Sequence, residues 1–328
     1  MEPQDPPFFE GAEKKLELVV DPALPPLRER GEEYWRGIAR SCGADVISRI
    51  SGSSGDAYLL SESSLFVFDH KIVMITCGCT QLTLALEELS REVPPSQLRF
   101  LVYERKNEVY PQRQPTSFFD DVRELSSRLP GRAFQFGDED EHHLYLYHLD
   151  RPYPGESDDA TVEVLMYGID PEVVARFHDP AIDSEQLRRA TGLDGILPGY
   201  RIDDHRFDPY GYSLNAIRGE RYWTVHVTPD PLRSYASFEA NHRRGETPER
   251  AVRRVLDAFR PRSFDVVTFD HGEPAVDVAS PYELRSHVER DLSCGYRTRF
   301  LSFHRSDLGR RAPLELPLDV ALPGSRTS

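Results

Sequence analysis

Apolar and polar residues alternate in short runs along most of this chain, and stretches with helical spacing interrupt the runs at intervals. Lys15-Leu16-Glu17-Leu18-Val19-Val20 has the period-two pattern of a first strand. Spacing through Tyr34, Trp35, Ile38 and Cys42 predicts a helix over 28–42, with Gly43 as its stop. Strands are expected over 44–50, 58–60, 64–68 and 72–76. A Ser/Gly turn at 51–55 separates the first two, and Asp69-His70-Lys71 closes a hairpin between the last two. A helix over 80–89 follows, capped by Thr80. The alternation resumes with a strand over 98–103, a helix over 117–128 and strands over 132–136 and 143–149. The segment 152–159, rich in Pro, Gly and acid, reads as a linker between two halves.

Beyond the linker the same style continues. A strand over 161–167 precedes short helices over 171–177 and 184–191, and the block 199–241 has strand character broken by turns. Thr247-Pro248-Glu249-Arg250 opens a helix running to residue 259, and strands over 264–269 and 296–303 bracket a helix over 282–292. Each half, about 1–155 and 156–310, is therefore expected to form an antiparallel sheet covered by helices on one face, with a frayed tail over 311–328.

Composition narrows the function classes. A chain of 328 residues with 39% hydrophobic and 29% charged residues is an ordinary globular protein with room for a sizeable core. Its formal charge of −15 argues against nucleic-acid binding and suits cationic ligands. The pairs Arg243-Arg244 and Arg253-Arg254 read as solvated faces. No run approaches the ~20 apolar residues that span a bilayer, so no membrane role is expected. Cys42, Cys77, Cys79 and Cys294 have neither disulfide-framework nor zinc-ribbon spacing and fit a reducing cytoplasm. No metal site is expected: the acidic and histidine run at 138–143 is a solvated turn, and Cys77-Gly78-Cys79 lacks a second ligand pair. There is no phosphate-binding Gly-rich loop.

The cluster Ser61-Glu62-Ser63-Ser64 would, by itself, read as a solvated turn. A serine after a strained peptide can also attack its own preceding carbonyl, converting the amide to an ester. Loss of the serine α-proton then expels the carboxylate, and the residue left behind loses ammonia to become a pyruvoyl group. That scheme needs a base and an anchor for the oxyanion.

Leu60-Ser61-Glu62-Ser63-Ser64-Leu65-Phe66-Val67, Thr76-Cys77-Gly78, Gly211-Tyr212-Ser213-Leu214-Asn215, Tyr222-Trp223-Thr224-Val225-His226-Val227-Thr228-Pro229 and Ser237-Phe238-Glu239 decide between these readings. In this order they resemble the motif set of the eukaryotic-type S-adenosylmethionine decarboxylase proenzymes. The likeness begins at Phe8-Phe9-Glu10-Gly11 and Glu13-Lys14, passes Arg105-Lys106-Asn107 and Ile196-Leu197-Pro198-Gly199, and thins after about Asn241.

The resemblance implies an α+β fold, a four-layer α/β/β/α sandwich with two central antiparallel sheets in a single domain. It implies cleavage between Glu62 and Ser63 into a β chain of residues 1–62 and an α chain of residues 63–328. The cofactor would be covalent pyruvate, the pyruvoyl group made from Ser63, which forms a Schiff base with the substrate amine and draws off electrons as carbon dioxide departs. Within the family pattern Cys77 is the proton donor to the substrate, His226 the base of processing and Ser213 its anchor. Glu10 and Glu13 join this catalytic set. Phe9 and Phe207 would stack the adenine, Leu60 and Glu62 would contact it through the backbone, and Asp230 stands where the pattern has a glutamate for the ribose.

Glu17, Asp159, Glu163 and Glu239 match positions that hold the activator putrescine in animal-type members, so a polyamine-type cation is expected there. Ile75 replaces a lysine of that pattern and Val102 an aromatic residue, which is expected to leave the cluster more negative. The product would be the aminopropyl donor for spermidine and spermine. A homodimer of processed α/β units is the assembly to test. Two other readings stand beside this one: a pyruvoyl decarboxylase of a basic amino acid such as ornithine or arginine, and a catalytically silent paralogue that activates a partner.

Overall fold

The computed structural model describes residues 13–106, 108, 111–138, 141–153, 159–208, 211–230, 233–243, 245–246, 248–278 and 280–309. Its first half contains β1 (Lys14–Val20), α1 (Glu32–Ser41), β2 (Val46–Ser51), β3 (Gly55–Leu60), β4 (Ser63–Phe68), β5 (Lys71–Thr76), α2 (Leu82–Ser90), β6 (Leu98–Lys106), α3 (Phe118–Arg128), β7 (Gly131–Gly137) and β8 (His143–Leu149). The second contains β9 (Asp159–Tyr167), α4 (Pro171–His178), α5 (Ser184–Thr191), β10 (Arg201–Arg206), β11 (Tyr212–Arg218), β12 (Arg221–Thr228), β13 (Tyr235–Arg243), α6 (Glu249–Phe259), β14 (Ser263–Asp270), β15 (Tyr282–Asp291) and β16 (Arg297–Arg305).

The strands make two antiparallel sheets of eight, in the orders β2-β3-β4-β5-β1-β6-β8-β7 and β10-β11-β12-β13-β9-β14-β16-β15. Subtracting eight from each number of the second order returns the first, so the halves share one topology. In each, the first strand of the half sits near the centre and pairs with two later strands: β1 with β5 and β6, β9 with β13 and β14.

Alternation along the strands builds the layers. On β1, Leu16, Leu18 and Val20 pack with Trp35, Ile38, Leu82, Leu86 and Leu125 of the three first-half helices. Val164, Phe238 and Val266 pack likewise with Val173, Leu187 and Val252 of the second-half helices. Between the sheets lie two smaller apolar clusters, one joining Val102 and Leu146 to Leu165 and Phe269, the other joining Phe66 and Ile75 to Ile217 and Tyr222. The expected helix–sheet–sheet–helix sandwich is the observed one, and polar side chains share the gap with these clusters.

Three local expectations change. Residues 282–292 form a strand, β15, rather than a helix. Glu283, Leu284 and Arg285 favour helix locally, but pairing with β16 along its length overrides that preference, and the charged residues suit an exposed sheet edge. The helix expected over 28–42 is divided by Gly31 at φ 83° into a short 3-10 turn and α1. Thr80 does not cap α2, which starts at Leu82 after Gln81. Instead its hydroxyl reaches Thr76 Oγ1 at 2.7 Å and the Cys77 carbonyl at 3.0 Å, fixing the end of β5. The Ser117 cap of α3 is as expected, completed by Asp120 as a capping box.

Leu18 is fully buried on a central strand. Leu18→Ala should lower unfolding free energy by about 2–5 kcal/mol through lost burial and the cavity left behind, measurable by urea denaturation.

Candidate active site

Strands β3 and β4 form a hairpin whose connecting residues are Ser61 and Glu62, with Leu60 opposite Ser63. Ser63 is forced to φ 122°, a value that a residue with a Cβ adopts at a cost of order 1–3 kcal/mol. The strain sits at the bond expected to break. Ser63 also pairs with Thr76 of β5, so the next residue, Cys77, lies beside it. The Cys77 backbone N–H donates to the Glu62 carbonyl at 3.1 Å, placing a donor on the oxygen that would carry negative charge during attack. The Ser63 hydroxyl meets Cys77 Sγ at 3.6 Å, and the thiol lies 3.8 Å from Glu62 Oε2. Burial, together with the Glu62 carboxylate, pushes the Cys77 thiol well above its ordinary range, so at neutral pH it is a proton-bearing acid.

From the second sheet, β11 and β12 bring Ser213 and His226 opposite each other, and β13 brings Ser237 opposite His226. Glu13, immediately before β1, crosses the gap. Its Oε1 lies 2.7 Å from His226 Nδ1 and also accepts from the Ser237 hydroxyl. A carboxylate at Nδ1 assigns the proton to that nitrogen and leaves the Nε2 lone pair toward hydroxyls. Those hydroxyls are Ser64 Oγ at 2.8 Å and Thr224 Oγ1 at 3.0 Å. Ser64 is further held by Asn215 Oδ1 at 2.6 Å, and Asn215 Nδ2 donates to the Tyr58 carbonyl. Burial by itself would raise the Glu13 carboxyl, but the His226 imidazole, Lys106 and Ser237 reverse this and hold it below the usual range.

A cavity of about 30 Å³ gathers Glu13, Ser63, Cys77, Phe207, Ser213 and His226 on its lining, with Ser61, Tyr212, Val227, Thr228 and Tyr235 completing the wall. Six of the expected site residues thus converge. Leu60 is buried with its side chain in the helix-facing core, so only its backbone is available to the site. Asp230 lies two residues beyond β12, exposed, with Oδ1 accepting from the Arg233 backbone N–H. Phe9 and Glu10 fall outside the described residues.

The expected activator set lies in the same inter-sheet gap and looks different from the expectation. Lys15 Nζ stands 2.8 Å from Glu163 Oε1, 3.1 Å from Glu239 Oε1 and 3.6 Å from Glu17 Oε2. Lys106 Nζ stands 2.6 Å from Glu163 Oε2 and 3.7 Å from Glu13 Oε2. The cluster is therefore not left short of positive charge by Ile75. Against burial, which lowers a lysine, these carboxylates raise both ammonium groups, so each stays charged. The Asp159 side chain is outside what the structure describes. Glu104, fully buried with neither oxygen hydrogen-bonded, faces a cavity of about 10 Å³ that Glu17, Val102, Thr161, Phe269 and Tyr296 help to line. Burial and the neighbouring Glu163 raise its carboxyl above the usual range.

Lys15, Lys106, Ser64, Asn215, Thr224 and Ser237 have roles that sequence reasoning had not assigned. The signal was present for Lys15: it alternates with Glu13 and Glu17 on one strand and must face the same way. Among the described residues no group of three or more His, Cys, Asp or Glu could hold a metal ion. No described helix is long and apolar enough to cross a membrane.

The family model described as Adenosylmethionine decarboxylase matches residues 6–306. The chain belongs to that family. It is 35% identical over 290 residues to the S-adenosylmethionine decarboxylase proenzyme of Leishmania donovani, covering 83% of this chain and 75% of the relative. The proenzyme of Xenopus laevis is 34% identical, over 80% of this chain and 83% of its own length. For that of Drosophila melanogaster the identity is 31%, covering 92% and 96%. The solved Trypanosoma brucei AdoMetDC-delta26 monomer superposes with a TM-score of 0.58 at 23% identity, over 74% of this chain and 98% of that one, and supports the fold.

Glu13→Gln should destabilise the protein by about 3–5 kcal/mol at neutral pH, since it uncouples a buried charge pair. The folded Glu13 carboxyl is depressed, so the pair's contribution is complete above the ordinary carboxylate range and is lost as pH falls through the depressed value. Urea unfolding of parent and variant should therefore converge in acid.

Proposed function

We propose that this family member decarboxylates S-adenosylmethionine with a pyruvoyl group cut from its own chain at Glu62–Ser63, yielding the aminopropyl donor for spermidine and spermine. The observation that carries the reading is the strained Ser63 peptide, with its preceding carbonyl held by the Cys77 N–H and its side chain in one cavity with His226 and Ser213. Family membership supports the reaction class, and the set is chemically complete for processing. The Cys77 amide steadies the developing oxyanion. Glu13 holds the His226 tautomer whose Nε2 can take the Ser63 α-proton. Ser213, opposite His226, is the hydroxyl anchor.

The group supplies an electrophilic carbonyl that serves as an electron sink when the substrate carboxyl leaves. The residues present fit it, since Ser63 is buried among polar side chains rather than sealed in an apolar core. During turnover Cys77 delivers a proton to the substrate carbon that has lost carbon dioxide. Phe207 offers a face for the adenine, and Phe9 would supply the other. An aliphatic amino acid would leave such a clamp unused, which favours S-adenosylmethionine over ornithine or arginine. The retained Glu62, Ser63, Cys77, Ser213 and His226 argue equally against a silent paralogue. A cytoplasmic location is supported by four free cysteines. Light scattering reads whether the processed units form the homodimer.

Lys15 takes over the regulatory position. Its fixed charge already joins Glu163 and Glu239, and the residual cavity of about 10 Å³ has room for about one water rather than a four-carbon diamine. Turnover therefore proceeds without added putrescine.

Intact mass should show two fragments, of 62 and 266 residues (328 − 62), for the parent and one unbroken chain for Ser63→Ala. Cys77→Ala should cleave but lose ~100-fold or more in carbon dioxide release from carboxyl-labelled S-adenosylmethionine, the scale of a missing general acid. Full, lasting activity of that variant would remove Cys77 from the mechanism. Putrescine titration should leave parent activity and melting temperature unchanged, whereas Lys15→Met should lose activity and regain part of it with added diamine.

A further inference from the structure

Reprotonation of Cys77 is the part of the reaction for which the cavity has no assigned residue. Each turnover breaks the bond from the substrate α-carbon to its carboxyl, and the electron pair left behind takes the Cys77 proton. A C–H bond forms, an S–H bond breaks, and a thiolate remains. Burial makes that thiolate costly, so its reprotonation must be fast for the enzyme to turn over.

Four groups bear on Cys77 from the elements around it: Glu62 and Ser63 from the β3–β4 hairpin, and Lys14 and Glu13 from β1 and the residue before it. Ser63 loses its hydroxyl when the pyruvoyl group is made. Lys14 Nζ is engaged with the Gly78 carbonyl at 2.8 Å, and Glu13 is engaged with His226 and Ser237. Glu62 Oε2 lies 3.8 Å from the thiol, within sulfur hydrogen-bonding range, on a half-buried side chain.

The backbone makes room for this contact. Gly78 adopts φ 62°, and a Cβ there would come within 2.8 Å of Glu62 Oε2. A side chain at 78 would displace the Glu62 carboxyl from its place beside Cys77. Of the acids near the thiol, Glu62 is the one with access: its carboxyl reaches the thiol from a half-buried side chain, and burial raises it above the usual range, with Cys77 and Lys14 opposing.

Resting on the decarboxylase reading above, we propose that the Glu62 side chain is a positioning residue that recharges Cys77 with a proton after each turnover. The Glu62 O–H bond breaks, the Cys77 S–H bond re-forms, and the carboxylate takes a fresh proton from solvent. This is separate from the role of the Glu62 carbonyl in cleavage, which its side chain need not share.

Two measurements test it. In the first, Glu62→Gln and Glu62→Asp are compared with the parent in single-turnover and steady-state release of labelled carbon dioxide and formation of protonated product. Glu62→Gln should lower the steady-state rate by ~10-fold or more relative to its own first turnover, which draws on thiol already protonated. Small carboxylic-acid buffers should raise that rate in proportion to their concentration, and Glu62→Asp should recover part of it. Equal loss in both phases, or an unchanged steady state, would overturn the proposal. In the second, which needs no cleavage, alkylation of Cys77 is followed against pH in a Ser63→Ala background. Adding Glu62→Gln should move the midpoint to lower pH, because the carboxylate that opposes thiolate formation is gone. An unmoved midpoint would mean that the two side chains do not interact and would also overturn it. If the parent releases no carbon dioxide from S-adenosylmethionine, the functional reading itself fails, whatever the alkylation midpoint does.

Discussion

The two sheets are held in register by lysines of one reaching carboxylates of the other. Lys15 on β1 meets Glu163 on β9 and Glu239 on β13, and Lys106 on β6 meets Glu163. Such charges lose several kcal/mol each on leaving water, so the seam adds little net stability over an apolar interface. Its value is positional. Apolar contacts between flat sheet faces tolerate sliding, whereas a displaced partner here would strand a bare charge in the interior. Glu13 extends the seam: it leans on Lys106 on one side and His226 on the other, so the register of the sheets becomes the aim of the imidazole.

The catalytic cavity inherits this arrangement, because neither half owns it. Ser63 and Cys77 come from adjacent strand ends of the first sheet, and Ser213 and His226 from paired strands of the second. A chain cut between Glu62 and Ser63, as proposed above, would also have to keep both pieces. Strand β3 lies entirely before the break and β4 after it, yet they are paired along six residues. β1 is likewise inserted between β5 and β6. Cutting the hairpin would relieve the backbone at Ser63 without freeing either strand.

Much of this was legible in the sequence because the strands are regular. Period-two alternation found the strands of the first half and β9, β14 and β16, whereas β10 to β13 read only as one block of strand character; the repeated element order anticipated two similar sheets. Ordered motifs located Ser63, Cys77, Ser213 and His226, which the fold brings into one cavity. What failed did so where tertiary pairing outweighed local preference. Residues 282–292 carry helix formers but lie where β16 needed a partner, and Thr80 is a good cap whose hydroxyl the end of β5 uses instead. Counting acids without the lysines on the same strand face left Lys15 out of the charge balance, although it alternates with Glu17 on the polar side of β1. In a sandwich of two sheets that side faces the other sheet.

That orientation explains why a buried polar seam and the candidate active site share one gap. The covering helices satisfy the outer faces, so only the inner faces can present side chains to an enclosed space. An apolar inner face would hold the sheets together but could not stabilise an oxyanion or orient an imidazole. A fully charged one would not pack. The structure divides the gap instead: Phe66 with Tyr222 and Val102 with Phe269 provide packing, the lysine and glutamate seam fixes register, and the polar end lies at the strained Ser63 peptide. Thr80 clamps Thr76 and the Cys77 carbonyl at that end. The Cys77 amide is thereby held on the Glu62 oxygen, and the strand end beside the strained Ser63 is fixed in place.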